Sequence, residues 1–307
     1  MNLQLYLLTF KNAHFGEGLL NESSDAFSAH RLYSALYLEA LKMEKSEEFF
    51  KESLRPDFIV SDAFPFFKEV YLPRPIGFPR IENKYSSIEE FKENVGQAKT
   101  SKKIMYIPLS CIDDFIAGKA IVNQLYELQK DFFKHSVLVR KGKDPYEVGI
   151  TSFNTSLYVI GPDSSLMVDL MDSLQYAGLG GKLTSGLGSF ELSILPLPDI
   201  LKERIFGDYS RYLSLSTSFP SLGEISTIDE SSKYLIMKTS GFAYSEASNE
   251  LLRKQDYYKF KSGSTFPKRF AGDIVDVRPE CFPHPVWNYS KGLFFGFEID
   301  EVDDETY

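Results

Sequence analysis

The chain has 307 residues, 43% of them apolar, 15% aromatic and 25% charged; this globular composition excludes wholesale disorder and leaves room for two domains. Two cysteines, Cys111 and Cys281, exclude a disulfide-built scaffold and point to a reduced, cytoplasmic protein. The net charge of −9 excludes a uniformly basic nucleic-acid binder but not a local one: Glu298–Glu305 holds six acids, without which the net charge is −3, while Arg253–Phe270 holds six bases against Asp256.

Leu3, Leu5 and Leu7 alternate as in a strand over Leu3–Phe10, and Met1–Asn12 has no basic residue before its short apolar run, so neither a secretion signal nor a membrane span is expected. A polar loop, Lys11–Ser24, follows, with Gly16 and Gly18. Asp25 is the expected cap of a helix over Ala26–Met43, since Phe27, His30, Arg31, Ser34, Leu38 and Leu41 fall at helical spacing. Ser46–Leu54 reads as a helix and Phe58–Val60 as a short strand. Tyr71–Arg80 holds three prolines and a glycine and reads as an extended loop. A helix is expected over Ser86–Ala98, a strand over Ile104–Leu109 and short helices over Ile112–Gly118 and Ile121–Phe133.

Val137–Val139, Glu147–Phe153 and Ser156–Ile160 read as strands, the first two joined by a hairpin-like turn at residues 140–146. Ser164–Tyr176 is a helix ending at Gly178, and Phe190–Leu195 is a strand. Pro196–Gly207 reads as a linker. Strands then follow over Arg211–Ser216, Tyr234–Lys238, Tyr257–Lys261, Asp273–Val277 and Leu293–Ile299, so the second half is β-rich.

Residues 178–190 (GLGGKLTSGLGSF) carry the strongest signal. A C-cap and turn need one or two glycines, and here there are five. Such residues let the backbone approach a ligand and aim successive N–H groups at an anion. Lys182, Thr184 and Ser185 add a charge and two hydroxyls. A Walker A loop would need glycine at Tyr176 and Ser or Thr at Leu183, and a dinucleotide fingerprint would need glycine at Leu183. Both motifs also run strand–loop–helix, whereas this loop runs helix–loop–strand. A loop that binds a phosphate backbone is therefore weighed above a structural turn.

The stretch Gly180–Phe190, between a helix and a strand, resembles the G-loop of the RAMP superfamily, the RNA-binding subunits of CRISPR effector complexes. His14-Phe15-Gly16 after the first strand, Ser23–Tyr33 entering a helix, Tyr257–Phe270 (YYKFKSGSTFPKRF) and Pro283–Trp287 (PHPVW) narrow the resemblance. Together they look like the Csm-type subunit of type III-A complexes that holds the 5′ handle of the guide RNA (crRNA). The resemblance spans nearly the whole chain. It implies an α+β fold of two tandem ferredoxin-like (RRM-like) domains, residues 1–200 and 206–297, before an acidic tail, 298–307. It implies guide-RNA binding without catalysis, no cofactor and no metal. Its expected partners are the large polymerase/cyclase-palm subunit, the backbone subunit that coats the guide and, indirectly, target RNA.

The RNA-contacting residues expected on this reading are Lys11, His14, Phe15, Gly16 and Arg31 at the start of the chain, and Gly180, Gly181, Lys182, Thr184, Ser185, Gly186 and Gly188 in the G-loop. Lys259, Lys261, Ser262, Lys268 and Arg269 come from the basic stretch, and all three groups are expected to converge on one cleft. Arg74 and Arg80 complete the set: on a proline-stiffened loop with Ile76 and Phe78 they either pin phosphates beside an apolar wedge or dock the loop on another subunit. His14 has two readings. Relatives that cut guide precursors use a histidine as general acid/base; a histidine that bonds RNA or fills the loop is favoured here, since no second group of a cleavage pair is evident nearby. His30, His135 and His284 lack close partners, and Asp113-Asp114 reads as a helix first turn rather than a metal site. Lys291–Glu298 partly matches an RRM aromatic motif but reads as a core strand.

Overall fold

The computed structural model of the chain describes residues 2–79, 100, 103–141, 145–245 and 249–299. The expected helix over Ser86–Ala98, Arg80 and residues 300–307 of the acidic tail lie outside them.

Among the described residues the first half has nine strands: β1 (Leu3–Phe10), β2 (Asn12–Ala13), β3 (Phe64–Phe67), β4 (Glu69–Pro73), β5 (Tyr106–Pro108), β6 (Phe133–Arg140), β7 (Tyr146–Phe153), β8 (Ser156–Pro162) and β9 (Phe190–Pro196). Its helices are α1 (Ala29–Lys42), α2 (Ser46–Ser53), α3 (Ile112–Ile116), α4 (Val122–Gln129) and α5 (Ser165–Ala177), and α6 (Asp199–Phe206) leads into the second half. Six strands make one sheet in the order β5-β4-β3-β8-β1-β9, with antiparallel pairing throughout. Helix α1 lies between β1 and β3 along the chain, and α5 between β8 and β9.

The alternation in β1 is that of a strand buried on both faces. Tyr6, Leu8 and Phe10 join a cluster with α1 and α5, including Leu32, Leu36, Leu170 and Leu174. Leu3 and Leu5 join a second cluster on the other face, with Phe115 of α3 and Leu201 and Ile205 of α6. Both clusters draw on the second half: Ile274 and Tyr289 in the first, Leu213, Leu215, Phe295 and Phe297 in the second. Lys291 reaches back to donate to the Ser53 and Arg55 carbonyls, each at 2.7 Å, at the end of α2.

The second half holds β10 (Arg211–Ser214) between β15 (Thr265–Phe266) and β18 (Phe294–Phe297). Three antiparallel pairs complete it: β11 (Ile236–Thr239) with β14 (Tyr257–Phe260), β12 (Phe242–Ser245) with β13 (Glu250–Arg253), and β16 (Ile274–Asp276) with β17 (Trp287–Tyr289). No α-helix follows Phe206 among the described residues; a short 3-10 turn, Leu222–Thr227, is closed by a Ser221–Glu224 capping box. The fold is α+β. No helix among the described residues is long and apolar enough to cross a membrane.

Three expectations of local structure change. Phe58–Val60 is not a strand; the pairing starts at Phe64, where Pro65 stands in β3, and turns back through Lys68, whose φ is +66°, into β4. The Tyr71–Arg80 loop accordingly begins as strand. The Pro196–Gly207 linker contains α6, whose Leu201 and Ile205, one turn apart, are buried while its other face is charged.

Candidate nucleic-acid interface

Helix α5 is capped at its start by Ser164, which accepts from the Met167 amide, and ends at Gly178, whose φ is +83°. The glycine-rich loop then runs back along the first loop. Gly181 N–H donates to the His14 carbonyl at 2.8 Å, Gly188 N–H to Asn12 O at 2.9 Å, and Leu179 N–H to Gly188 O at 2.8 Å. The glycines divide by role. A Cβ on Gly188, at φ +82°, would stand 2.2 Å from the Leu179 carbonyl oxygen, and a Cβ on Gly181 would stand 2.7 Å from the His14 ring. These positions, with Gly180 at 2.7 Å from His14 O, are closed by packing. Gly186, at φ +78°, has nothing within 4 Å of its would-be Cβ and ends an exposed 3-10 turn, Leu183–Ser185.

That turn is where the loop offers chemistry. Lys182 enters it in the left-handed region, and the amides of Lys182, Leu183 and Thr184 have no acceptor among the described residues. A left-handed residue followed by right-handed ones turns successive N–H groups toward one concavity, the geometry of an anion nest. The Thr184 and Ser185 hydroxyls stand at the same exposed tip, and Lys182 Nζ lies 4.9 Å from the Tyr146 ring on β7.

His14 is 6% exposed, so its ring serves packing, and Nδ1–H donates to the Gly149 carbonyl at 2.8 Å. Nε2 faces Gly16, whose Cβ would stand 3.1 Å away. Glycines from three segments, Gly16, Gly149 and Gly181, enclose this one ring. Phe15 is buried edge-to-face against Phe10 and Phe27 and offers no face to a base, contrary to expectation. Lys11 is exposed, and Arg31 on α1 donates to Gly16 O at 2.6 Å, which fastens the first loop to the helix.

The cap of α1 is not Asp25, which pairs instead with His135 of β6 at 2.9 Å. Ser28 occupies the N-cap position but its hydroxyl bonds the His30 ring at 2.8 Å rather than a helix amide, and the Ala29 amide is held by Asp62 at 2.7 Å. Asp62 is buried and also accepts from Thr217 N–H at 2.9 Å and Thr217 Oγ1 at 2.6 Å, so one carboxylate ties the helix start to the second half. Burial raises its pKa, and its bonds to Thr217, Ala29 and Ser262 oppose that rise. Nothing periodic in the sequence marks Asp62; a lone acid in the apolar run Phe58–Phe67 is the sole signal.

The basic stretch contributes less surface than its composition suggests. Lys259 is fully buried, donates to the Tyr289 carbonyl at 2.5 Å and is pushed down to about 7 by desolvation, so it cannot grip a phosphate. Arg269 is spent on Ile205 O at 3.0 Å and Asp208 at 2.7 Å, over the Tyr212 ring. Ser262 is half-buried beside Asp62, and Lys261 and Lys268 are exposed. The proline-rich loop docks on the chain's own second half: Ile76 N–H donates to Gly263 O at 2.8 Å, Ile76 O accepts from Thr265 Oγ1 at 3.0 Å, and Phe78 is buried against Phe297. Phe78 is therefore no wedge. Arg74 lies at the Gly263 turn with its guanidinium 5.9 Å from the Phe115 ring.

The structure thus brings together the G-loop, the His14 loop and the start of α1, and reaches Ser262 through Asp62. Among the described residues no group of His, Cys, Asp and Glu could hold a metal ion; Asp113, in the first turn of α3, pairs with Arg204 at 2.7 Å. Phe294, Phe295 and Phe297 are buried, as a core strand requires.

Comparison with known proteins gives a consistent result. Residues 207–297 match the family model of the CRISPR Csm4 C-terminal domain. The CRISPR system Cms protein Csm4 of Streptococcus thermophilus is 46% identical, over 97% of this chain and 100% of that protein. The protein of the same name from Mycobacterium tuberculosis (strain CDC 1551 / Oshkosh) is 31% identical, over 96% and 97%. Among solved structures, the Csm3-Csm4 subcomplex of the type III-A CRISPR-Cas interference complex contains a chain of similar fold, with TM-score 0.65 and 16% identity over 96% of this chain and 99% of that one. A chain of the Csm1-Csm4 cassette in complex with pppApA gives TM-score 0.61 and 15% identity over 97% and 99%.

Proposed function

The chain belongs to the Csm4 family of CRISPR proteins, and from that premise we propose that it is a non-catalytic RNA-binding subunit of a type III-A interference complex. It anchors the 5′ repeat-derived handle of the crRNA. It also bridges the large palm-domain subunit to the backbone subunit, in line with solved relatives captured with Csm1 and with Csm3. We read its first half as ferredoxin-like, because β3-β8-β1-β9, crossed by α1 and α5, has the strand order of a βαββαβ unit.

The observation that carries the reading is the exposed 3-10 turn of the G-loop. Its three unpartnered amides lie between Lys182 and Gly186, and the loop is clamped to the His14 loop from below. Backbone N–H groups grip phosphate without reading sequence, and a rigid cradle holds a single strand in a fixed register. A proton shuttle needs an accessible ring, whereas His14 is enclosed and its Nδ1 is engaged, which favours holding over cutting.

The test mixes the purified chain, alone and with the palm subunit, with labelled guide RNA and with RNA lacking the handle, at two salt concentrations. Handle-dependent retention of intact RNA is expected. Lys182→Ala should lower the slope of log affinity against log salt by about 0.7, as one phosphate contact to a single strand does. Metal-independent cleavage lost in His14→Ala would replace this reading with a nuclease. Partner binding without any RNA dependence would replace it with a protein scaffold.

A further inference from the structure

Residues 236–245 and 249–260 pair as one long β-ribbon. Strands β11 and β12 make one arm and β13 and β14 the other, and the two ladders are offset by one residue, because Ser240 and Gly241 oppose Lys254, Gln255 and Asp256. Lys254 N–H donates to Gly241 O at 2.9 Å across this bulge. The inner face is buried: Thr239, Ala243, Ser245 and Lys259 point inward.

The outer face is of a different kind. Phe242 is 63% exposed, Tyr244 54% and Tyr258 53%, large values for aromatic rings on a sheet. Tyr234 lies against Phe260 and Tyr257 against Phe219, whereas these three rings have open faces. Tyr244 Oη donates to Asn249 Oδ1 at 2.9 Å, which fixes that ring's direction. Lys238 and Arg253 stand on the same face and share one carboxylate, Asp256, at 2.7 and 3.2 Å, so the face is net positive. The ribbon's root reaches the interface described above: burial, and after it the charges of Lys259, Arg31 and Lys254, hold the His30 imidazole well below its ordinary pKa, and Arg31 beside it grips Gly16.

We propose that the outer face of this ribbon is a second RNA contact, a stacking platform for unpaired bases of single-stranded RNA. Open aromatic rings accept any base, and flanking cations follow the phosphates. The face also carries exposed Ile236 and Leu251, and its two cations against one acid favour a polyanion as the occupant. The inference rests on the RNA-binding reading and places part of that binding on a surface separate from the glycine loop.

The test uses the full chain with its palm partner and guide RNA bearing 5-iodouridine at successive positions. Phe242→Ser/Tyr244→Ser/Tyr258→Ser should weaken RNA binding about ten- to hundredfold, the loss expected for one or two stacked bases, with an unchanged melting temperature. Phe242→Tyr/Tyr258→Phe, which keeps the rings, should bind as wild type. Ultraviolet light should cross-link the RNA to Tyr244 or Tyr258. Wild-type binding that survives the serine variant, without cross-links to the ribbon, overturns the platform and leaves the glycine-loop reading standing. Loss of the palm or backbone subunit with RNA affinity intact makes the face a protein interface and also overturns it. Wild-type protein that retains no RNA overturns both.

Discussion

The glycine loop and the β-ribbon are built for different kinds of contact. The loop presents main chain: its positions are closed by packing, its tip shows amides and small hydroxyls, and its single cation lies along a tyrosine. The ribbon presents side chains: open rings and paired charges on an otherwise regular ladder. A main-chain surface depends on conformation, so a change of shape destroys it and a change of side-chain type barely touches it. A side-chain surface has the opposite sensitivity. Burial beneath the two differs as well, since a packed histidine supports the loop while the ribbon buries a lysine of its own inner face.

Substitutions at glycine sharpen that contrast most. Gly188→Val puts a side chain at φ +82° and 2.2 Å from the Leu179 carbonyl, and should cost about 4 kcal/mol, read as a fall in urea midpoint with loss of the α5–β9 connection. A midpoint within experimental error of wild type would show that the loop is not held by close approach. Asp62→Ala leaves the Ala29 amide and both Thr217 donors buried without their acceptor, for a cost of about 3 kcal/mol. Asp62→Asn should recover part of it, because an amide oxygen still accepts.

The buried lysine gives a pH signature. Between about pH 7 and the ordinary lysine value the unfolded chain binds a proton at Lys259 that the native chain does not, so native stability should rise with pH through that window. Lys291, lowered to about 8 by desolvation, adds to the same rise. The change is about 1.4 kcal/mol for each unit of pKa depression, and Lys259→Met should flatten most of it in denaturation series at pH 7 and pH 9.5. An unchanged pH slope would mean that the Lys259 ammonium reaches water.

The smallest effect separates shape from stability within one loop. Gly186→Ala meets open space and carries only the left-handed strain, about 1 kcal/mol, so the fold should survive. Handle retention should nevertheless fall, because the turn that aims the free amides is altered. Equal retention by Gly186→Ala and wild type would move the RNA contact away from this turn.

Much of the fold was legible. Leu3, Leu5 and Leu7 marked β1 because a strand alternates with period 2, and Ser164 with Gly178 bracketed α5 because caps are local chemistry. Five glycines in one loop announced a main-chain surface. What could not be read depended on distant partners. Asp62 meets Thr217 across the fold, and no local pattern records that pairing. Lys259 looks like any base in a basic run until the strand turns it inward onto the Tyr289 carbonyl. Phe15 reads as an RNA contact in the sequence, yet it is buried, because exposure is not written in a tripeptide. The α6 helix hid behind two prolines, since a single turn of Leu201 and Ile205 is too short to show a period.

The sharing of both hydrophobic clusters between the halves sets a schedule for biosynthesis. As the chain leaves the ribosome, β1 emerges well ahead of the second half, yet the cluster on one of its faces waits for Tyr289 and that on the other for Phe297. At roughly 5–20 residues per second, many seconds separate those events. For that interval the nascent first half carries uncovered apolar surface, and the two clusters close only when β18 arrives.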